Sequence, residues 1–185
     1  MNTRTVLAIG LLAAGGASVH VSSAAPAGQS ASAGPDVPVD RGLDGAYDPN
    51  NPFARILRGE LPASRVFEDD HVLAFMPIRM QSPGHVLVIS KTSRARNLVS
   101  IEPEELTRMM LVVRRIARAQ RAALKPDGVR ITQNSGAAAG QSVFHLHFHV
   151  IPMYAGRALR SGEGPDDPRE ELDAMARRLA AALRD

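Results

Sequence analysis

Gln141-Ser142-Val143-Phe144-His145-Leu146-His147-Phe148-His149-Val150-Ile151 is the stretch whose reading decides the fold. Side chains along a strand point alternately to opposite faces, and this segment alternates with period two. Phe144, Leu146, Phe148 and Val150 share one face and are expected in a core, while His145, His147 and His149 share the other. Same-face neighbours lie roughly 6.5–7 Å apart at normal strand rise. Three imidazoles at that spacing can line one phosphate-sized site. Two other readings stay open: an accidental row of solvent-facing histidines, and a zinc site built on His145 and His147. The second lacks an obvious carboxylate or cysteine companion.

The residues just before the strand suit an anion. Asn134-Ser135-Gly136 and Ala139-Gly140-Gln141-Ser142 bracket a small-residue loop. Glycines let backbone N–H groups approach a phosphate, and Asn and Ser add donors. Imidazole suits attack on phosphorus. A neutral ring with Nε2 unprotonated carries a free lone pair near neutral pH, provided an acceptor for Nδ1–H fixes the tautomer. Neighbouring histidines, partly protonated, can donate to phosphate oxygens and to the leaving group.

Working outward, Asn51 is expected to cap a short helix with Pro52 in its first turn and Gly59 at its end. Arg65–Glu68 and His71–Phe75 read as strands joined at Asp69-Asp70. Pro83-Gly84 is a turn before the strand His85–Ile89. Ser100 is expected to cap a long helix with Leu106, Met109, Met110, Val113, Ile116 and Ala117 on its apolar stripe. Val129–Asn134 and Val143–Ile151 read as the last strands. Leu172, Met175, Leu179 and Leu183 mark a C-terminal amphipathic helix. Strands, helix, strands, helix is the order of an antiparallel sheet with helices packed on it, class α+β. His71 reads as a solvent-facing residue.

Composition narrows the chemistry. The chain of 185 residues contains no cysteine, which excludes disulfides, thiolate nucleophiles and Cys-ligated zinc. With 22 Lys+Arg against 19 Asp+Glu and no basic block, nothing points to a nucleic acid polymer as partner. At the N-terminus, Arg4 precedes the apolar run Val6–Val21, then Ser22-Ser23-Ala24-Ala25-Pro26. This pattern suits an export signal over residues 1–24, cut after Ala24, placing the chain in the periplasm or outside the cell. The run is too short and too rich in Gly and Ala for a stable membrane span. A mis-assigned start codon would instead leave the protein cytoplasmic. Residues 25–50 are rich in Ala, Gly, Ser, Pro and Asp and read as a flexible linker. The folded domain is expected over 51–185.

On these motifs the sequence resembles the histidine triad (HIT) superfamily, named for a His-x-His-x-His strand, and within it the Hint-like branch and its bacterial relatives. The likeness runs from Pro52 to about Tyr154. It includes Gly59-Glu60-Leu61-Pro62-Ala63-Ser64, Phe67-Glu68-Asp69-Asp70, Leu73-Ala74-Phe75 and Ser82-Pro83-Gly84-His85. The resemblance implies a five-stranded antiparallel sheet with flanking helices, often paired into a homodimer. It implies cleavage of a nucleotide or nucleotide conjugate at the α-phosphate, whether phosphoramidate, acyl adenylate or dinucleoside polyphosphate, with no cofactor and no metal in the covalent step. His147 would be the nucleophile, His149 a phosphate donor and His145 an orienting residue whose carbonyl accepts the Nδ1–H of His147. His85 would be a second-layer or relay residue, although by itself it reads as a surface histidine at a strand start. Asn134, the Gly140 backbone, Gln141 and Ser142 would hold phosphate or leaving group. Phe53, Ile56, Phe75 and Ile78 would form the base pocket, or else ordinary core.

Three features depart from the family pattern. Pro77 stands where relatives often carry an acidic residue for the ribose. Asn51, Ala54 and Ser93 stand where some relatives hold a structural zinc. Most relatives are intracellular, whereas this chain carries an apparent export signal. A nucleotide- or phosphate-binding protein without turnover is therefore the alternative to an enzyme.

Overall fold

The computed structural model describes residues 41–184. The expected export signal and residues 25–40 of the expected linker lie outside them. Helix α1 spans Pro52–Leu57, and Asn51 Oδ1 accepts from the N–H groups of Phe53 and Ala54, both at 3.0 Å. Five strands follow: β1 Arg65–Glu68, β2 Val72–Phe75, β3 Val86–Ser90, β4 Gly128–Thr132 and β5 His147–Met153. Helix α2, Pro103–Leu124, separates β3 from β4, and α3, Arg169–Ala182, closes the chain. The strands form one antiparallel sheet in the order β1-β2-β3-β5-β4, the α+β architecture expected.

Both faces of the sheet are covered, so β2 and β3 are buried throughout, and only Ser90 among their residues is polar. On one face Val72, Ala74, Val86, Val88, Phe148 and Val150 pack with residues of α2 and α3, among them Met109, Ile116, Leu172 and Leu179. On the other, Leu73, Phe75, Leu87 and Ile89 pack with Phe53 and Ile56 of α1. In the β3–β5 register Leu87 faces His149 and Ile89 faces His147, so the histidines stand beside this smaller apolar cluster.

Several boundaries differ from expectation. β5 begins at His147 rather than Val143, because the Leu146 N–H donates to the Ala95 carbonyl instead of joining the ladder. Phe144 is buried apart from Leu146 and Phe148, under the Arg96 guanidinium at 4.7 Å. Ser100 does not cap α2. It belongs to a short 3-10 turn, Leu98–Ser100, capped by Asn97, and α2 starts at Pro103 with Glu102 before it. Proline at the first helical position needs no N–H partner, so it sets this start. Met110 is exposed, and Val112 takes the inward place.

One buried polar group ties the layers together. Gln120 of α2 has no exposed surface, and its Nε2 donates to the carbonyls of Gly84 and Val150, both at 2.9 Å. It joins the turn before β3 to the middle of β5. Gln120→Leu is expected to destabilise the domain by about 2 kcal/mol, since two buried carbonyls lose their donor while one unpaired Oε1 is removed. A denaturant midpoint equal to that of the unchanged protein would refute it.

Candidate active site

The imidazoles are organised by hydrogen bonds that select one tautomer each. His147 Nδ1 lies 2.7 Å from the His145 carbonyl, which can only accept. Nδ1 therefore carries the proton and Nε2 keeps its lone pair. Nε2 has no hydrogen-bond partner among the described residues.

His149 is set by His85. The Gln81 N–H donates to His85 Nδ1 at 3.2 Å, so the proton of neutral His85 is on Nε2. That Nε2–H donates to His149 Nδ1 at 2.9 Å, which leaves His149 with its proton on Nε2. One ring thus presents a lone pair and the next an N–H, with ring centroids 5.0 Å apart. His85 is 1% exposed, so its reading as a surface histidine is corrected. Its position follows from the turn before it: Gly84, at φ +87°, lets the chain double back so that Gln81 reaches the ring.

The segment carrying Gln81 is itself pinned from the C-terminal side. Met80 N–H donates to Asp167 Oδ2 at 2.7 Å, and Arg160 N–H donates to the Gln81 carbonyl at 2.8 Å. Asp167 also pairs with the Arg160 guanidinium at 2.7 Å. These contacts hold the donor that fixes His85.

His145 does not stand with the other two, whose rings meet each other. It precedes β5, is 1% exposed, and has both ring nitrogens occupied. Nε2–H donates to the Ser90 carbonyl at 3.1 Å, and Nδ1 accepts from the Tyr47 hydroxyl at 2.7 Å. The expectation of three convergent rings is corrected to two, His147 and His149, with His145 behind them. A zinc site on His145 and His147 would have to displace one of the two partners of His145. Tyr47 was not foreseen, since it lies in the stretch read as linker.

That stretch differs from expectation as well. Residues 41–50 have no helix or strand, but they pack on the domain. Ala137 N–H donates to the Arg41 carbonyl at 2.8 Å, and Asn97 Nδ2 to the Leu43 carbonyl at 2.7 Å. Small and polar residues cannot build a core, yet their backbone carbonyls can satisfy buried donors such as Asn97, which is fully buried.

The small-residue loop is braced from within. Gln141 is buried; its Oε1 accepts from Gly136 N–H at 2.8 Å, and its Nε2 donates to the carbonyls of Arg96 and Val143. Its side chain is thus committed to the loop, which corrects its reading as a phosphate contact. The Gly140 N–H is likewise committed, to the Ala137 carbonyl at 2.8 Å. Gly140 serves by its left-handed φ of +88°, which closes the turn. Asn134 stands beside it, Nδ2 to the Gly140 carbonyl at 3.5 Å. Ser142 is exposed, and its N–H and hydroxyl make no hydrogen bond among the described residues. It opens on a hollow of about 480 Å³ shared with Arg41, Asp48 and Asn50.

Of the expected base-pocket residues, Phe53, Ile56 and Phe75 come together, and the Phe53 ring meets His147 edge-on at 5.0 Å between centroids. Ile78 does not join a buried pocket. It is 62% exposed, beyond the end of β2, where the chain turns to meet Asp167. Asn51 and Ser93, at positions that hold zinc ligands in some relatives, use their side-chain oxygens to cap α1 and to accept from Ala95 N–H.

Burial dominates the electrostatics. It pushes His85 down to about 3, with the nearby His149 and His147 adding to the effect. It pushes His145 to about 4 against the opposing bond to Ser90, and His149 to about 4. His147 is also lowered by burial, opposed by its bond to the His145 carbonyl. All four rings are therefore neutral near pH 7, which corrects the expectation of partly protonated neighbours. Donors are supplied by tautomer, not by charge.

The HIT domain family model matches residues 58–156. Protein hit of Bacillus subtilis is 36% identical over 143 residues, covering 70% of this chain and 94% of that protein. Among solved structures, a HIT-like protein from Bartonella henselae, described as involved in cell-cycle regulation, has a TM-score of 0.71 at 43% identity. The match covers 75% of this chain and 99% of that one. A hypothetical histidine triad nucleotide-binding protein from Sulfolobus tokodaii has a TM-score of 0.65 at 29% identity, covering 71% of this chain and 91% of that one.

Proposed function

The chain belongs to the HIT family, and from that premise we propose that it cleaves nucleotide conjugates at the α-phosphate through a covalent phosphohistidine on His147. The observation that carries this reading is the 2.7 Å bond from His147 Nδ1 to the His145 carbonyl. It readies Nε2 for attack without a general base, and it serves again once the reaction starts. As Nε2 bonds to phosphorus and the bond to the leaving group breaks, the ring becomes cationic. The carbonyl then stabilises that charge through Nδ1–H.

His149 supplies the complementary group. Its Nε2–H can donate to a phosphate oxygen, and charge building there in the transition state strengthens the bond. Ser142, on the loop leading to His145, offers two further donors, its N–H and its hydroxyl. The departing group takes a proton from solvent; water then attacks phosphorus and returns a proton to solvent, and His147 leaves as the neutral ring, restoring the starting tautomer. Phe53 and its apolar neighbours give a face on which a base can rest. The chain's likeness to the hypothetical histidine triad nucleotide-binding protein from Sulfolobus tokodaii supports the substrate class.

Pro77 favours a second reading, binding without turnover, because its side chain cannot hydrogen-bond a ribose hydroxyl. One experiment separates the two. The protein is mixed with an adenosine phosphoramidate, quenched in denaturant at neutral to alkaline pH within the first turnover, and weighed intact. A nucleotidyl adduct that maps to His147 is expected. Tight binding by calorimetry with neither adduct nor free amine would favour the second reading instead.

A further inference from the structure

We propose that Tyr47 is a positioning residue for the chemistry at His147, acting through His145, and that the backbone carbonyls of Arg41, Leu43 and Asp48 hold it in place. The inference rests on the nucleotidyl-transfer reading above.

Tyr47 lies 98 residues before His145 in the chain and before residue 58, where the match to the HIT domain begins. Its hydroxyl nevertheless reaches His145 Nδ1 at 2.7 Å, and the two rings lie 5.7 Å apart. His145 is 1% exposed, so Nδ1 takes its partner from the protein rather than from bulk solvent. The other nitrogen is already committed to the Ser90 carbonyl. Packing alone would be met by a phenylalanine; the hydroxyl adds a donor aimed at the one nitrogen of the ring that the backbone leaves open.

That nitrogen matters because of what His145 carries. Its carbonyl is the acceptor that holds the tautomer of His147. A ring anchored at both nitrogens cannot rotate, and the peptide unit attached to it is held with it. The Phe53 ring links the same pair, 6.1 Å from His145 and 5.0 Å from His147. The arm is fixed independently at three points. The Arg41 carbonyl accepts from Ala137 in the small-residue loop, the Leu43 carbonyl accepts from Asn97, and the Asp48 carbonyl accepts from Asn51 Nδ2 at 2.6 Å. It therefore braces the histidine pair and the loop before them at once.

Without the hydroxyl, Nδ1 is left buried and unpaired, and the His145 ring can turn to seek another partner. The carbonyl then holds the His147 proton less well. Such a change should lower the rate of the chemical step and leave substrate binding nearly intact.

Tyr47→Phe in the full chain tests this, with Asp44→Asn as a control on the same arm. With an adenosine phosphoramidate, kcat of Tyr47→Phe is expected to fall about tenfold with KM within about twofold, because misplaced reacting groups cost rate before affinity. Asp44→Asn should match the unchanged protein. Unchanged kcat in Tyr47→Phe, an equal loss in Asp44→Asn, or a loss confined to KM would each overturn the proposal.

A second measurement does not depend on turnover. In nitrogen-15 spectra of the imidazoles, the Nδ1–H proton of His147 should be sharp and slow to exchange in the unchanged protein, and broadened in Tyr47→Phe. Identical spectra overturn the positioning role. If the unchanged protein turns over no nucleotide conjugate but its Nδ1–H signal still depends on Tyr47, the functional reading fails and the positioning role stands.

Discussion

Replacing His147 with alanine is expected to lower kcat/KM for an adenosine phosphoramidate by at least about four orders of magnitude, because the covalent route loses its nucleophile. Nothing near it can stand in. His145 has both nitrogens engaged, and His149 presents an N–H where a lone pair is needed. His149→Ala should cost less, about a hundredfold, as one donor to the developing phosphate charge is removed. The two losses should differ in kind as well: trapped adduct disappears with His147 and merely forms slowly without His149.

The domain should survive the His147 substitution. The ring adds to the fold one hydrogen bond and ring contacts with Phe53 and His149, while Leu146 and Phe148 hold the strand in the larger core. Circular dichroism and a thermal melt of the variant would check this. A folded His147→Ala protein that retains full turnover would sink the assignment of the nucleophile.

What sequence made visible, and what it hid, divides along local and distant contacts. Alternation placed His147 and His149 opposite Phe148 and Val150 because a strand enforces it on every residue it contains. The helix cap at Asn51 and the hairpin at Asp69-Asp70 were legible for the same reason: each is settled within four residues. His145 escaped the pattern because the strand starts after it, where Leu146 bonds to Ala95 instead. His85 looked like a surface residue because its partners, Gln81 and His149, meet only when β3 pairs with β5.

Tyr47 was beyond reach altogether. It sits among Gly, Asp, Pro and Asn, a composition that signals linker, and its importance comes from one bond across 98 residues. Gln141 and the Gly140 N–H depart from expectation in the opposite sense. Their residue types suit phosphate, but the loop consumes them to hold its own shape.

The neutral state of the histidine cluster carries a second large consequence, for stability in acid. In the unfolded chain each of these histidines takes up a proton as pH falls through about 6.5. In the fold, burial holds His85 near 3 and both His145 and His149 near 4, with His147 lowered too. Between those values the unfolded state binds more protons, so stability is fully present above about pH 6.5 and declines as pH falls. Each such group contributes about 1.4 kcal/mol per pH unit inside its window. By pH 5, His85, His145 and His149 would together have removed on the order of 6 kcal/mol, comparable with the whole stability of a typical domain at about 5–15 kcal/mol. The domain is therefore expected to melt at nearly constant temperature between pH 8 and 7, and to lose most of its stability between pH 6.5 and 5. His85→Gln should make the decline shallower by about 1.4 kcal/mol per pH unit, since one titrating group is gone. Asp167 and Glu68, whose carboxyls are held below their ordinary values by hydrogen bonds and nearby cations, add their own losses only at lower pH, in a separate window. Denaturant titrations at half-unit steps would trace both. Equal stability at pH 7 and pH 5 would show that the cluster is hydrated and already able to charge, and the tautomer chain built on its neutrality would fall with it.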